Sequence, residues 1–371
     1  MLTILVFAID TLTDTEYPLS MRIATYAQVA DVVYVVVRAG VHLEVPSHVK
    51  LIPIEGNSWY VRMYRAFRGG YAVARTFVSK KGQCIIVAES LYADVMLAGR
   101  VAKKTNIPFE LSCGGLDILS TNVLLKGWKR YYFFRQLSRV TSVRVLSLRE
   151  KNNLSTLYPH LPEATVVPFP VYIEKHLVSQ VFETRMILGY VSGKKEREMF
   201  LRAWKHIVSR YPDAHVSVIV SGDEKTSFVG EIYKKGFSDS VVVVLSSDRV
   251  ALRDIYTRAI LFLHMSDPCA FGTHLIQAVY DGIPSVSSDV GVMHGVLTSN
   301  DIFVCPAYDA DCFAKHTLFL LDNPQIHISL AQSAMRAGEQ LPLVITDRNR
   351  NIEIRRALWD MLIRGVKERE V

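Results

Sequence analysis

The sequence predicts an α/β protein built from two doubly wound parallel sheets, and three observations favour that fold class. Short apolar runs alternate with longer amphipathic stretches along the chain, a pattern typical of parallel sheets that are covered by helices on both faces. The alternation stops at Pro168-Phe169-Pro170, and the residues that follow show no clear period. It resumes at Met186 over a stretch of similar length, so we expect two domains with a ligand cleft between them.

This break sets the predicted domain boundaries. We expect an N-terminal domain over residues 1–170, a C-terminal domain over residues 184–345, and a final helix over residues 346–371 that can cross back to the first domain. In the first domain, apolar runs predict strands at 3–8, 32–37, 49–53, 84–88, 109–112, 142–146 and 165–167, with helices such as 61–78 and 92–104 between them. In the second domain, strands are predicted at 186–191, 215–220, 241–245, 259–264 and 285–287, followed by helices at 310–321, 326–337 and 346–367.

The composition limits the classes of partner. Among 371 residues, 43 are basic and 36 are acidic, which gives a formal net charge of +7. This mild excess suits anionic ligands or an anionic membrane surface. It does not indicate nucleic-acid binding, because no Lys/Arg run with interleaved aromatic residues matches a known recognition module.

The cysteines predict a reducing compartment. They are odd in number, widely spaced and without a Cys-x-x-Cys pair, which favours a reduced protein without structural zinc; they are Cys84, Cys113, Cys269, Cys305 and Cys312. The opening apolar run lacks a basic leader, and no uncharged run approaches the ~18 residues of a spanning helix. We therefore expect a cytoplasmic protein whose contact with a membrane, where it has one, is peripheral and on the inner face.

The most informative segment runs from residue 266 to residue 288. The apolar run 260–263 is followed by a polar loop, a Phe-Gly pair, an amphipathic helix that ends at Gly282, and a short strand that begins at Pro284. Gly272 therefore lies where the helix begins. Because N–H groups at a helix N-terminus attract phosphate and a glycine permits close approach, this position predicts a diphosphate site.

This segment resembles the nucleotide-sugar-binding signature of family-four glycosyltransferases, which have the GT-B fold of two Rossmann-like domains. In that family, two glutamates separated by seven residues bracket a Phe-Gly pair, and a Gly-x-Pro-Val-Val-x-Ser stretch follows. The matching residues are Phe271, Gly272, Ala278, Gly282, Pro284, Val286 and Ser288. Cys269 and Gln277 occupy the glutamate positions. Gln277 can still hydrogen-bond ribose hydroxyls, Cys269 is a poor replacement, and Asp267 can supply the missing carboxylate.

The turn after the first strand of the second domain is another candidate site. Ser192 and Gly193 are followed by Lys194 and Lys195, and these amides and charges can bind a pyrophosphate. The alternative is an ordinary strand-to-helix turn with solvated lysines. The resemblance favours the pyrophosphate, since the family carries a Gly-Arg turn and then a Lys-Gly pair at this place. This chain keeps the glycine and the positive charge but lacks the arginine.

Two loops of the first domain are candidate acceptor contacts. Gly114, Gly115 and Asp117 lie in a Cys-Gly-Gly-Leu-Asp stretch that resembles the family's His-Gly-x-Asp loop, although the histidine is missing. Asp117 either orients an acceptor hydroxyl or caps a helix. Glu89 follows a strand at a place where many relatives carry histidine, and it either contacts the acceptor or forms a structural salt bridge.

Two further segments each have a functional and a structural interpretation. Residues 246–250 lie where the family holds the nucleobase, and Arg249 and Val250 are the candidate contacts. The structural alternative is that Asp248 is simply the N-cap of a helix. The stretch from Lys126 to Arg139 is basic and aromatic. It either rests on a membrane surface or packs one face inside the domain.

The resemblance implies a retaining glycosyltransferase that moves a sugar from a nucleotide diphosphate donor to a hydroxyl of a glycan or lipid-linked acceptor, without a cofactor or a metal. The second domain would bind the donor through the residues above and Thr273. Lys195 and Asp267 are the catalytic candidates there, with Asp117 in the first domain. Because both signature glutamates are replaced, the alternative is a catalytically silent protein of the same fold with a binding or scaffolding role. A nonhydrolysing sugar-nucleotide epimerase shares the architecture, but its carboxylate and histidine motifs are not recognisable here.

Overall fold

The computed structural model describes residues 1–9, 19–41, 43, 45–79, 83–113, 128–168, 170–171, 173–174, 176, 186–268 and 270–367. The chain divides into two compact units. Unit 1 comprises Met1–Pro170 and Leu343–Val371, and unit 2 comprises Val171–Pro342. Among the helices of the described residues, none is both long and apolar enough to span a bilayer.

The secondary structure alternates between strands and helices in both units. The strands are β1 (Leu2–Ala8), β2 (Val32–Arg38), β3 (Val49–Ile54), β4 (Gln83–Ala88), β5 (Phe109–Cys113), β6 (Ser142–Val145), β7 (Thr165–Val166), β8 (Met186–Val191), β9 (His215–Val220), β10 (Val241–Leu245), β11 (Leu261–Met265), β12 (Ser285–Ser288) and β13 (Phe303–Cys305). The helices are α1 (Leu19–Val29), α2 (Trp59–Ser79), α3 (Ala93–Thr105), α4 (Trp128–Leu137), α5 (Leu148–Leu157), α6 (Lys194–Arg210), α7 (Gly222–Lys235), α8 (Arg249–Arg258), α9 (Thr273–Tyr280), α10 (Ala310–Asp322), α11 (Pro324–Glu339), α12 (Leu343–Thr346) and α13 (Arg348–Lys367).

Each unit contains one parallel sheet, and the first strand of the unit lies in its middle. The strand order is β3-β2-β1-β4-β5-β6-β7 in unit 1 and β10-β9-β8-β11-β12-β13 in unit 2. The order therefore reverses between β1 and β4 and between β8 and β11. Connections diverge at such a reversal and leave a crevice outside the carboxyl ends of the strands. The predicted α/β class of two parallel sheets flanked by helices is confirmed.

Burial on both faces explains why the strands are almost entirely apolar. Every residue of β1 is buried. Since successive side chains of a strand point to opposite faces, Leu5 and Phe7 pack into one hydrophobic cluster, whereas Ile4 and Val6 pack into a second one that includes Trp359 of α13. The sheet of unit 1 therefore lies between two hydrophobic layers.

Helix α13 is part of unit 1 through specific contacts as well as apolar packing. The Trp359 indole N–H donates a 2.8 Å hydrogen bond to Glu110 Oε2, and its ring lies 5.6 Å from that of Tyr26. Asn351 Nδ2 donates to the Pro168 carbonyl at 2.7 Å. These contacts join the last helix to β5, to α1 and to the end of the first 170 residues.

A buried network of charges crosses the centre of unit 1. Arg144 donates from Nε to Glu110 Oε1 at 3.1 Å and from Nη2 to the Tyr26 hydroxyl at 2.6 Å. Tyr26 in turn donates to Glu89 Oε1, whose other oxygen accepts from Arg22 Nη1 at 3.1 Å. Burial raises the pKa of Tyr26, so the phenol keeps the proton that it donates. The two carboxylates are each matched by an arginine, as buried charges require.

We predict that Arg144→Met destabilises unit 1 by about 3–5 kcal/mol, because the Glu110 charge then stays buried without its cation. Urea unfolding followed by circular dichroism measures the change. The control is Lys151→Met, which removes an ion pair with the largely exposed Glu163 and should leave the unfolding free energy nearly unchanged. Equal effects of the two substitutions would contradict the assigned role of the network.

Candidate functional site

The loops that follow β8 and β11 meet at the point where the strand order of unit 2 reverses. The Asp267 main-chain N–H donates to Ser192 Oγ at 3.1 Å. Ser266, the residue before it, donates its main-chain N–H to Ser288 Oγ at the end of β12 at 3.3 Å. The carboxyl ends of three neighbouring strands are thus tied together by serine hydroxyls. Two of the residues that the sequence singles out, Ser192 and Asp267, are in direct contact.

The turn from Ser192 to Lys195 leads directly into α6. Gly193 is the N-cap residue in an extended conformation, and an added Cβ would come within 2.8 Å of a Glu196 carboxylate oxygen. A larger residue at this position would therefore have to displace that carboxylate. Lys194 is exposed and lies 4.0 Å from Glu198. The Lys195 ammonium lies 5.6 Å from the centre of the Tyr308 ring, so this lysine is oriented toward the loop after β13.

Tyr308 lies beside two carboxylates at this edge. Its hydroxyl donates to Asp267 Oδ2 at 2.9 Å, and Glu196 is near enough to influence its pKa. Burial, and then the negative charge of Asp267, raise the pKa of Glu196. Burial and the bond to Asp267 likewise raise the pKa of Tyr308, which therefore remains a protonated donor at neutral pH. Asp267 is recognisable as a candidate from the sequence, whereas its neighbours Tyr308 and Glu196 are not.

Helix α9 begins at the glycine that the sequence predicts. Gly272 has φ +95°, a left-handed conformation that side chains disfavour. A Cβ there would lie 2.9 Å from Val290 Cγ2. The preceding Phe271 is fixed by its carbonyl, which accepts from the Val292 N–H at 2.9 Å. The requirement for glycine thus comes from the backbone and from packing, and it places the N-terminus of α9, with Thr273 as its first residue, at the edge of the sheet.

Gln277 has a different set of contacts from the one that the resemblance assigns to it. Its Nε2 donates to the Glu174 carbonyl at 2.7 Å and to Asp281 Oδ2 at 2.8 Å, and its Oε1 accepts from the Glu174 N–H at 3.2 Å. Both amide hydrogens are therefore used within unit 2. In this structure Gln277 positions the chain at residue 174, and its contact with ribose hydroxyls stays a prediction.

The same cluster fixes His176. Its Nδ1 lies 2.7 Å from Asp281 Oδ2, and its main-chain N–H donates to Asp281 Oδ1 at 3.0 Å. The imidazole stacks on Tyr256 of α8, with ring centres 5.7 Å apart and an interplanar angle of 8°. Gln277 on α9 and Asp281, the C-cap residue of that helix, together hold the start of unit 2 against α8 and α9.

Glu89 lies in the buried network of unit 1. Its side chain is completely buried and forms the ion pair with Arg22, which supports the structural salt bridge over a contact with the acceptor. The sequence does not reveal this salt bridge because Arg22 and Glu89 are 67 residues apart. Gly114, Gly115, Asp117 and Cys269 lie outside the described residues.

The remaining predicted residues lie at the surface. Asp248 Oδ1 accepts from the Ala251 N–H at 3.0 Å and is therefore the N-cap of α8, as its alternative interpretation predicts. Arg249 and Val250 begin that helix and are exposed. In the described part of α4, Phe133 is buried and Tyr131 is 69% exposed, an arrangement that favours packing of one helix face inside unit 1.

Comparison with known proteins gives a family match in unit 2. Residues 175–340 match the model of the family described as glycosyl transferases group 1. An uncharacterized glycosyltransferase from Haemophilus influenzae is 20% identical over 159 residues, which cover 42% of this chain and 44% of that protein. The chain thus spans less than half the length of this relative.

Solved structures resemble nearly the whole chain. The sucrose-phosphate synthase from Thermosynechococcus elongatus superposes with a TM-score of 0.72 at 14% identity, covering 98% of this chain and all of that chain. HepE from Anabaena, in complex with UDP and glucose, gives a TM-score of 0.72 at 13% identity, with coverage of 96% and 98%. At this level of identity the similarity concerns the fold, and the expected GT-B fold is confirmed.

We predict that Gln277→Glu, which introduces the residue of the family signature, destabilises the protein by about 1–3 kcal/mol. A carboxylate oxygen would replace the amide donor that faces Asp281 Oδ2 and the Glu174 carbonyl. The deficit should shrink at acidic pH, because a protonated carboxyl can donate again. Urea unfolding at several pH values measures it, with the exposed Gln325→Glu as the control. A variant as stable as the parent would contradict the positioning role.

Proposed function

Since residues 175–340 match the model of the glycosyl transferases group 1 family and the chain has the GT-B fold, we propose that the protein transfers a sugar from a nucleotide diphosphate donor to an acceptor hydroxyl. In this reaction the acceptor oxygen bonds to the anomeric carbon and the bond from that carbon to the diphosphate breaks. The nucleoside diphosphate leaves, and the hydroxyl proton is released. We propose retention of the anomeric configuration, as the family resemblance implies.

The observation that carries this proposal is the hydrogen bond between Asp267 and Ser192. It holds the turn before α6 against the loop that leads to α9. The N-termini of two helices, each preceded by a glycine, therefore belong to loops that are in contact. Helix N-termini and positive side chains stabilise anions, which supports a diphosphate site at this edge of unit 2.

Each residue of this edge has a proposed role. The amides at Gly193, Gly272 and Thr273 bind the diphosphate, and Lys194 and Lys195 neutralise the charge that develops as it leaves. Asp267 is fixed by Ser192 and Tyr308. Its carboxylate accepts hydrogen bonds from hydroxyls of the donor sugar, in place of the missing signature glutamate.

The acceptor side of the reaction is proposed from the resemblance alone. We place the acceptor hydroxyl near Gly114, Gly115 and Asp117, and we expect a glycan or a lipid-linked acceptor at the cytoplasmic face of a membrane. Within α4, Tyr131 and Arg135 are exposed and would be the contacts with anionic lipid. No general base and no metal enter the proposed mechanism.

A catalytically silent protein that binds nucleotide is the second candidate, and one observation favours it. The amide of Gln277, at the second signature position, is occupied by Glu174 and Asp281. The donor would lose the ribose contact that the family provides. Such a protein would bind the nucleotide in a binding or scaffolding role without transferring the sugar.

Donor binding and turnover can be tested with one panel of nucleoside diphosphates and their sugar nucleotides. We expect one of UDP, GDP and ADP to raise the unfolding temperature, because a ligand at ~100 times its Kd stabilises the folded state by about 2.7 kcal/mol. The matching sugar nucleotides should then release nucleoside diphosphate when acceptor extracts are added. Binding without release would favour the silent protein. No binding of any nucleotide would contradict both candidates.

We predict that Lys195→Ala weakens binding of the nucleoside diphosphate about tenfold or more, because a hydrogen bond to a charged group contributes ~1.5–3 kcal/mol. Binding of the corresponding nucleoside should not change. Isothermal calorimetry at low and high salt measures both ligands. Lys234→Ala on the exposed surface of α7 is the matched control, and an equal loss in that variant would show a nonspecific charge effect.

A further inference from the structure

Two cysteines and a histidine converge behind the loop that carries Tyr308. Cys305 is the last residue of β13, and Cys312 and His316 lie on α10. The Sγ atoms and one imidazole nitrogen all lie within 4.8 Å of one another. The wide spacing of the cysteines in the sequence predicts a protein without structural zinc, but the strand and the helix bring these three residues together.

The local structure explains this convergence. Residues four apart on a helix lie on the same face, so Cys312 and His316 present their ligand atoms side by side. The ring of His316 stacks on Phe303, with centres 4.7 Å apart, which limits its orientation. Cys305 is buried, whereas Cys312 and His316 are half-buried, so a cation has a route from solvent.

The ligand set fits a thiophilic divalent cation. Two thiolates and one imidazole are ligands of tetrahedral zinc, and a site with three protein ligands leaves one position for water. With bonds of about 2.3 Å to sulfur and 2.0–2.1 Å to nitrogen, the ligand atoms need to approach by only about 1 Å from the separations seen here. The Sγ atoms of Cys305 and Cys312 already lie within 4.8 Å of each other.

We propose that Cys305, Cys312 and His316 bind one zinc ion. The cation would join the end of β13 to the first turn of α10 and so close the loop 306–311. That loop carries Tyr308, which donates to Asp267 at 2.9 Å. Zinc would thus fix the position of the Tyr308 hydroxyl, which is a structural role and does not depend on the proposed transfer reaction.

Metal titration of the full-length protein tests this site directly. Protein dialysed against a chelator should bind one equivalent of Zn²⁺ in competition with a chromophoric chelator. Co²⁺ should give a thiolate charge-transfer band and intense visible bands, which are characteristic of tetrahedral sulfur coordination. Hydrogen exchange of residues 306–311 should slow on loading, whereas the rest of the chain should change little.

Substitutions identify the ligands. Cys312→Ser and His316→Gln should each lower Zn²⁺ affinity by about 100-fold or more, since even loss of an outer-shell partner costs about 10–100-fold. The matched controls are Cys84→Ala in unit 1 and His215→Gln at the exposed start of β9. His316 is partly exposed, so its substitution keeps the test valid where a cysteine variant fails to fold.

Three outcomes would overturn the proposal. One is the absence of tetrahedral cobalt bands at one equivalent. The second is an unchanged spectrum in both ligand variants. The third is the loss of two titratable thiols on mild oxidation together with no metal binding, which would make Cys305 and Cys312 a disulfide-forming pair. Nucleotide binding is measured separately, so failure of the metal site and failure of the proposed function can be told apart.

Discussion

The candidate site in unit 2 depends on the parallel pairing of β8 with β11. The two strands are in register from Ile187 opposite Leu261 to Val191 opposite Met265, so they end at the same level. Ser192 follows β8 and Asp267 follows β11, and the two residues are therefore close enough for a 3.1 Å hydrogen bond. A shift of one residue would turn each side chain of a strand to the opposite face and would move this contact apart. The position of the site is thus set by the register of the sheet.

The edge that we propose as a diphosphate site carries two acidic groups, Glu196 and Asp267, whose negative charge opposes an anionic ligand. Glu196 and Asp267 both lie beside Tyr308, whose hydroxyl donates a hydrogen bond to Asp267, and burial raises the pKa of Glu196. The Tyr308 phenol adds a neutral hydrogen-bond donor beside these two groups. Positive charge at this edge comes from the Lys195 ammonium, which lies over the Tyr308 ring, and from the N-terminal end of the α9 dipole. In the proposed diphosphate site, these groups would take the place of the arginine that the family pattern provides.

The sequence predicts the fold and the position of the site better than the partners of its residues. Strand β8 and the glycine before α9 have clear local signals, and Ser192 and Asp267 meet in the structure. Tyr308 has no such signal, because β13 is only three residues long and too short to show a period. Gln277 and Glu174 are 103 residues apart, and residue 174 lies in a stretch without periodicity. Local patterns identify the elements, whereas long-range side-chain contacts require the folded chain.

Cys312 and His316 also show that local patterns do not reveal contacts between different elements. Their spacing of four residues fits one face of a helix, and the helix at 310–321 was predicted. The third member, Cys305, comes from the short strand that gave no signal. A search for cysteine pairs close in sequence misses a site of this kind, since the ligands come from two elements joined by a turn.

The two units show how the same strand order can serve different purposes. In unit 1 the carboxylate after the central pair of strands is Glu89, which is fully buried against Arg22. In unit 2 the corresponding carboxylate is Asp267, which is only half-buried and is held from its main-chain side by Ser192 and from its side chain by Tyr308. An arginine inside the fold satisfies the first carboxylate and removes it from solvent. The second is fixed in direction but remains accessible, and accessibility together with a fixed direction is what a group that binds sugar hydroxyls requires.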